Sequence, residues 1–186
     1  MTTVEIPMVA HDAAFIVFKD STNVAWQRLP EATETTLAVV NTPWKVQIAG
    51  KTVTMNELQS FTESNDDDIK YFSGTAVYNN TFVLDKVEGN ISLDLGKVGV
   101  MAEVIVNGTN LVVLWKAPYN IDITKAVKAG ENRIEVRVIN LWKNRLIGDA
   151  KHPENATTFT GFKFYKGDEP LMPSGLMGPV TVTQKK

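Results

Sequence analysis

The chain has no cysteine and only two histidines, His11 and His152. The first absence excludes disulfide frameworks, thiol nucleophiles and cysteine-based zinc sites. The second leaves little material for a histidine metal centre or a His-based catalytic pair. There is no excess of positive charge either: 19 Lys and Arg stand against 21 Asp and Glu, a formal net charge of −2. Nothing resembles the clustered basic face of a nucleic-acid binder. No run of about 18 apolar residues is present that would span a bilayer as a helix. The opening MTTVEIPMVA lacks a basic segment followed by an apolar core, so no secretory leader is expected there. The catalytic signatures GxSxG, HExxH, the Walker loop and GxGxxG are all missing. A thiol-free chain fits the cytosol and the exported proteome of a bacterium equally, so composition leaves the compartment open.

What is there is the makings of a β protein. The 186 residues are 44% hydrophobic and 22% charged, enough for one domain with a short extra piece at one end. Apolar residues recur mostly with period two, the mark of half-buried strands. In TAVYNNTFVL, Ala76, Tyr78, Phe82 and Leu84 share a face. In ISLDLG, Ile91, Leu93 and Leu95 point inward, and Ser92 and Asp94 outward. AEVIVNG alternates and ends on Asn107-Gly108, a dipeptide suited to a tight hairpin, after which LVVLW runs back. RIEVRVINL places Ile134, Val136 and Val138 inward and Arg133, Glu135 and Arg137 outward. GPVTVT closes with Val180 and Val182 on one side. Helical material is scarce. ITKAVKAGEN offers one or two turns with Asp122 or Thr124 as N-cap and Gly130 as stop, and MNELQSF offers another. Many short strands separated by turns define an all-β fold, an antiparallel β-sandwich of jelly-roll type.

The apolar run in DAAFIVFKDS reads as a strand, and the polar STNVAWQRLPEATET follows it. Residues 1–22 are therefore expected to be terminal strands of a preceding domain, and 23–186 the sandwich itself. TESNDDDIK reads as an acidic loop. Its Asp66, Asp67 and Asp68 are of the type calcium takes, but the alternating spacing and Gly of a calcium loop are missing, so a solvated turn and no metal or cofactor are expected. Four glycosylation triplets, beginning at Asn79, Asn90, Asn107 and Asn155, arise readily in an Asn- and Thr-rich chain and carry no argument.

Two sets of residues are candidates for chemistry. A carboxylate pair drawn from Glu103, Asp122, Glu135 and Asp149 would suit a small glycosidase, which needs two acids at a fixed separation. Glu135, on the outward side of its strand, reads as a solvated face. The second set is aromatic. Trp115 ends a strand before the Pro118-Tyr119 turn, and Trp142 follows another strand within NLWKNRLIGD. With Asn144, Arg145 and Asp149 they are the materials of a sugar platform, a ring against the C–H face and polar groups on the hydroxyls. The architectural reading of the same residues has Trp142 in the core, Arg145 and Asp149 as an ion pair pinning a corner, and Asn144 bonded to main chain.

In order along the chain, FSGTAVYNNTF, then LDLGKVGVMAEVIVNGTNL, then LWKAPYNIDITKAVKAGENRIEVRVINLWKNRLIGD, and finally PSGLMGPVTV resemble the galactose-binding-like β-sandwich of large bacterial glycoside hydrolases. The chain is similar to the members of that group that include the sugar-binding domain of family 2 enzymes, and more closely to the C-terminal module of α-L-rhamnosidase-like hydrolases of gut Bacteroidetes. The likeness runs from about residue 44 to 183. IPMVAHDAAFIVFKDS is similar to the end of the domain that precedes this module, where relatives read SxFVVF; Ala14 stands where Ser is common. The resemblance implies a non-catalytic accessory module whose partners are the catalytic and other domains of its parent, with carbohydrate as a further ligand, in the periplasm or at the cell surface. It also implies no catalytic residue in this chain. A (β/α)₈ catalytic barrel needs about 250 residues by itself. An independent carbohydrate-binding module and a small glycosidase are the alternatives.

Overall fold

A computed structural model describes residues 4–21, 23, 25 and 33–185. The chain divides into two units, Met1–Ala32 and Thr33–Lys186. In the first unit the described residues form no strand. The run expected as a strand leaves Phe15 and Phe18 in solvent, since an apolar strand is stable only when a neighbour takes its backbone groups and one of its faces. One turn is tied locally, the Asp12 carboxylate accepting from the Val9 amide at 2.9 Å.

The second unit is the sandwich. Its strands are β1 (Glu34–Val39), β2 (Trp44–Ile48), β3 (Lys51–Met55), β4 (Gly74–Leu84), β5 (Asn90–Asp94), β6 (Lys97–Val98), β7 (Met101–Val106), β8 (Thr109–Leu114), β9 (Asn120–Asp122), β10 (Gly130–Asn140), β11 (Leu176–Gly178) and β12 (Thr181–Lys185). One sheet runs β3-β2-β4-β10-β7-β8, the other β1-β12-β5-β9, and β11 pairs with β6 in a small third sheet. Each of these strand pairs is antiparallel.

The alternation written in the sequence becomes the core. Ala76, Tyr78, Phe82 and Leu84 of β4 and Ile134, Val136 and Val138 of β10 are buried. They join Ile91, Leu93 and Val182 of the opposite sheet in one hydrophobic cluster. Each large apolar side chain so buried contributes about 1.5–3 kcal/mol. Two-residue hairpins set the register. Asn107 and Gly108 both have positive φ, as the type I′ turn requires, and the Asn107 carboxamide bonds the Arg133 amide (3.0 Å) and the Ala126 carbonyl (2.8 Å).

Four local expectations are corrected. The acidic loop contains a short helix, α1 (Asp67–Lys70), because the Asp66 side chain caps it by accepting from the Asp68 amide. Asp66 and Asp68 then share the Lys51 ammonium at 2.7 and 2.9 Å, so these carboxylates are engaged rather than simply solvated. ITKAVKAGEN forms one turn as expected, closed by the Ala126 and Val127 amides on the Ile123 carbonyl, but Gly130 opens β10 instead of ending a helix. Ser92, on the outward side of β5, is nevertheless buried rather than exposed, as β12 and β9 flank that strand on both sides. The largest difference is at the corner after β10, where residues expected to form a turn are a nine-residue helix, α2 (Lys143–Lys151).

Candidate functional site

The candidate residues gather at one end of the sandwich. β10 ends at Asn140, opposite Gly74 at the start of β4. Ile139 pairs with Met101 on β7 and Ala102 with Leu114 on β8, so the Trp115 and Trp142 backbones leave the six-stranded sheet at the same end. One strand separates them, about 10 Å across the sheet.

Helix α2 has no side-chain cap at Trp142 and is held by tertiary contacts instead. The buried Asn144 bonds the main chain of Met172 twice, donating to its carbonyl at 2.6 Å and accepting from its amide at 2.8 Å. Asn140 accepts from the Gly175 amide at 2.7 Å, and the Tyr78 hydroxyl accepts from the Leu176 amide at 2.9 Å. Burial pushes the Tyr78 phenol far above its ordinary range. These three polar side chains together clamp the returning chain at 172–176, whose backbone groups would otherwise be buried without partners.

Arg145 and Asp149, one turn apart on α2, form an ion pair in which both side chains are largely buried. Asp149 also accepts from the amide (2.9 Å) and the hydroxyl of Thr158. Burial alone would raise the Asp149 carboxyl, but the Thr158 hydroxyl, the Thr158 and Thr157 amides and Arg145 together hold it below the usual carboxylate range. Arg145 Nε is buried with no hydrogen-bond partner among the described residues.

The sequence-derived platform is thus divided. Asn144, Arg145 and Asp149 turn inward and are taken up by the fold. Tyr119 packs on the core and donates its hydroxyl to the Val100 carbonyl at 2.7 Å. Trp115 and Trp142 face solvent, 60% and 62% exposed, so Trp142 is not a core residue. Sequence reasoning passed over the segment that Asp149 anchors. Residues 156–166 carry Phe159, Phe162 and Phe164, all strongly exposed, with the Phe162 and Phe164 rings 5.5 Å apart. The available signal was three phenylalanines in six residues with no neighbouring strand pattern to bury them.

The carboxylates do not assemble a glycosidase pair. Glu103 and Glu135 both bind Arg137, at 3.1 and 2.7 Å, on the outer face of the six-stranded sheet. Asp122 lies on β9 in the other sheet, bonded to Thr124, whose hydroxyl and amide hold its carboxyl below the ordinary range. Asp149 is likewise lowered, whereas a general acid must be raised. Among the described residues no group of three or more His, Asp or Glu side chains is arranged to hold a metal ion, and no helix is long and apolar enough to cross a membrane.

The fold is an antiparallel β-sandwich with a helix and an exposed aromatic segment at one end. The sequence profile of the glycosyl hydrolases family 2 sugar binding domain matches residues 9–166, and the chain belongs to that family. A putative beta-glucuronidase of Formosa agariphila is 40% identical over 172 residues, covering 75% of this chain and 15% of that protein. The rhamnosidase of Novosphingobium sp. PP1Y superposes with a TM-score of 0.81 at 38% identity, over 86% of this chain and 16% of that one. The beta-D-glucuronidase of Dictyoglomus thermophilum shares the fold, with a TM-score of 0.57 at 19% identity over 85% of this chain and 29% of that one. The chain therefore spans about one sixth of the length of the first two hydrolases, and its match covers no catalytic domain of the family.

Proposed function

We propose that this chain is a non-catalytic module of a glycoside hydrolase, buttressing the catalytic domain through the end of the sandwich that carries α2. The observation that carries this reading is the division of the corner. Its polar side chains are engaged internally, while Trp142, Phe159, Phe162 and Phe164 offer an apolar surface to a partner. The parent is a hydrolase of the periplasm or cell surface, a placement supported by the resemblance to such enzymes. The chain alone is expected not to hydrolyse aryl α-rhamnosides or β-glucuronides. The longer polypeptide in which it occurs is expected to do so, and to lose thermal stability of that activity when Phe162 and Trp142 are both changed to Ser. Turnover by the 186-residue chain alone would overturn the reading.

A second reading, an independent carbohydrate-binding module, is supported by Trp115 and Trp142 standing exposed at one end. Isothermal titration with neutral mono- and oligosaccharides separates the two. Binding that Trp142→Ala abolishes with the fold intact favours the second.

A further inference from the structure

The outer face of the six-stranded sheet carries a groove of about 510 Å³ that the readings above leave unused. It lies five residue pairs along β4 and β10 from the Gly74–Asn140 pair, about 17 Å from the helix end of the sandwich. The strand register builds it. Lys45 of β2, Asn79 of β4 and Glu135 of β10 stand in one row across three strands, and Thr81 and Arg133 stand in the next. Pro43 and Ile105 add apolar wall.

Most polar side chains here are already engaged. The Glu135 carboxylate takes Arg137 Nε at 2.7 Å. Asn80 exchanges bonds with Thr42, accepting from its hydroxyl at 2.7 Å and donating to its carbonyl at 2.9 Å. The Lys45 ammonium, the Asn79 carboxamide and the Arg133 guanidinium, by contrast, have no hydrogen bond or ion pair among the described residues. One unpaired surface cation is ordinary. Two cations flanking a free amide in one concave site, with the only lining carboxylate held by another arginine, are a recognition pattern.

The Cα atoms of Lys45 and Arg133 are separated by two strand spacings and two residues of offset, about 12 Å. With both long side chains leaning in, the space between suits one or two sugar rings, and a groove of this size is typical of small-ligand sites. A guanidinium fork matches a carboxylate in a bidentate way. A carboxamide both donates and accepts, as a sugar hydroxyl does. Ile105 and Pro43 suit the C–H edge of a ring. Inorganic phosphate would leave the amide and the apolar wall unused, and a neutral sugar would leave both cations unused.

We propose that this groove is a subsite for an acidic saccharide, a hexuronate unit whose carboxylate is taken by Arg133 and Lys45 and whose hydroxyls meet Asn79. The assignment stands apart from the docking role of the α2 end, and the two fail in different experiments. The test is titration of the full 186-residue chain, followed by amide NMR shifts. The probes are D-glucuronate, digalacturonate, glucose, galactose, glucose 6-sulfate and inorganic phosphate. The uronates are expected to move the Lys45, Asn79 and Arg133 resonances with millimolar affinity. Arg133→Gln, at an exposed position and expected to leave the thermal melt in place, should weaken binding at least about tenfold. Trp142→Ala is expected to bind as the wild type does. Equal shifts with glucose or phosphate, tighter binding of the sulfated sugar than of glucuronate, no effect of Arg133→Gln, or no shift at these resonances would each overturn it.

Discussion

Asp149 holds Thr158 by both its amide, at 2.9 Å, and its hydroxyl, so a carboxylate in α2 fixes the base of the aromatic segment nine residues downstream. The same carboxylate pairs with Arg145 one helical turn back. Asp149→Ala removes both functions and leaves the Arg145 guanidinium buried without its partner. Loss of one member of a buried pair costs about 3 kcal/mol. The variant is expected to unfold in urea with its midpoint lowered accordingly, and Thr158→Val to lose about 1 kcal/mol.

Acid should reach the same contact. The folded Asp149 carboxyl lies below its ordinary value because hydrogen bonds from Thr158 and Thr157 and the charge of Arg145 outweigh the effect of burial. A carboxyl depressed in the folded state contributes stability that is complete above its unfolded value, about 4, and is lost as pH falls through the folded value. The wild-type urea midpoint is therefore expected to fall steeply below about pH 4. In Asp149→Asn it should start lower and fall less over that interval. Parallel curves would show that Asp149 is not the group titrating.

Asn144 makes a sharper test of the clamp on residues 172–176. Replacement by Leu keeps the volume near constant but strands the Met172 amide and carbonyl, which the native side chain satisfies at 2.8 and 2.6 Å. Leaving two partly buried backbone groups unpaired costs about 1–3 kcal/mol. Hydrogen exchange at the Met172 amide is expected to speed up more than exchange in β10, because the loss is local to the clamp.

The sandwich was legible because each main strand writes its burial directly. Ala76, Tyr78, Phe82 and Leu84, or Ile134, Val136 and Val138, alternate and are buried as the alternation requires. Helix α2 was not legible. It is nine residues long, has a glycine at 148, buries only Ile147 among its large apolar residues, and has no capping side chain. Isolated helices of that length are marginal, so this one exists through Asn144, the Arg145–Asp149 pair and its packing on Tyr71; only the i,i+4 spacing of the pair is helical in the sequence, and one pair does not specify a helix. The ion pair and the main-chain role of Asn144 followed from residue chemistry alone. The exposure of Trp142 did not, because a Trp just after a strand suits a core position and a surface platform alike, and only the fold decides between them. Lys45, Asn79 and Arg133 are separated by dozens of residues and meet only through strand register, which no local pattern encodes.

Gly148 shows which effect governs α2. Alanine is favoured over glycine in a helix by about 1 kcal/mol. A Cβ here, however, would stand 2.5 Å from Tyr71 Cγ and 2.8 Å from its Cβ, at the root of the side chain rather than its flexible end. Overpacking of that kind costs about 1–3 kcal/mol. Gly148→Ala is expected to destabilise on balance, as measured by thermal melting. In a Tyr71→Gly background, which removes both of these atoms, the same change should turn neutral or stabilising. A stabilising effect in the wild-type background would mean that α2 does not pack on Tyr71 as closely as this.

Trp142 separates architecture from recognition. Its side chain is 62% exposed and caps nothing, so Trp142→Ala should change stability by less than about 1 kcal/mol. If the α2 end docks on a catalytic domain, the substitution removes apolar contact from the centre of that surface. The longer hydrolase should then show an earlier loss of activity on heating, with KM for a small aryl glycoside unchanged. If the ring is instead a sugar platform, KM or oligosaccharide affinity moves and the heat sensitivity does not. The two measurements on one variant therefore assign the residue, because docking acts through domain cohesion and a platform acts through ligand contact.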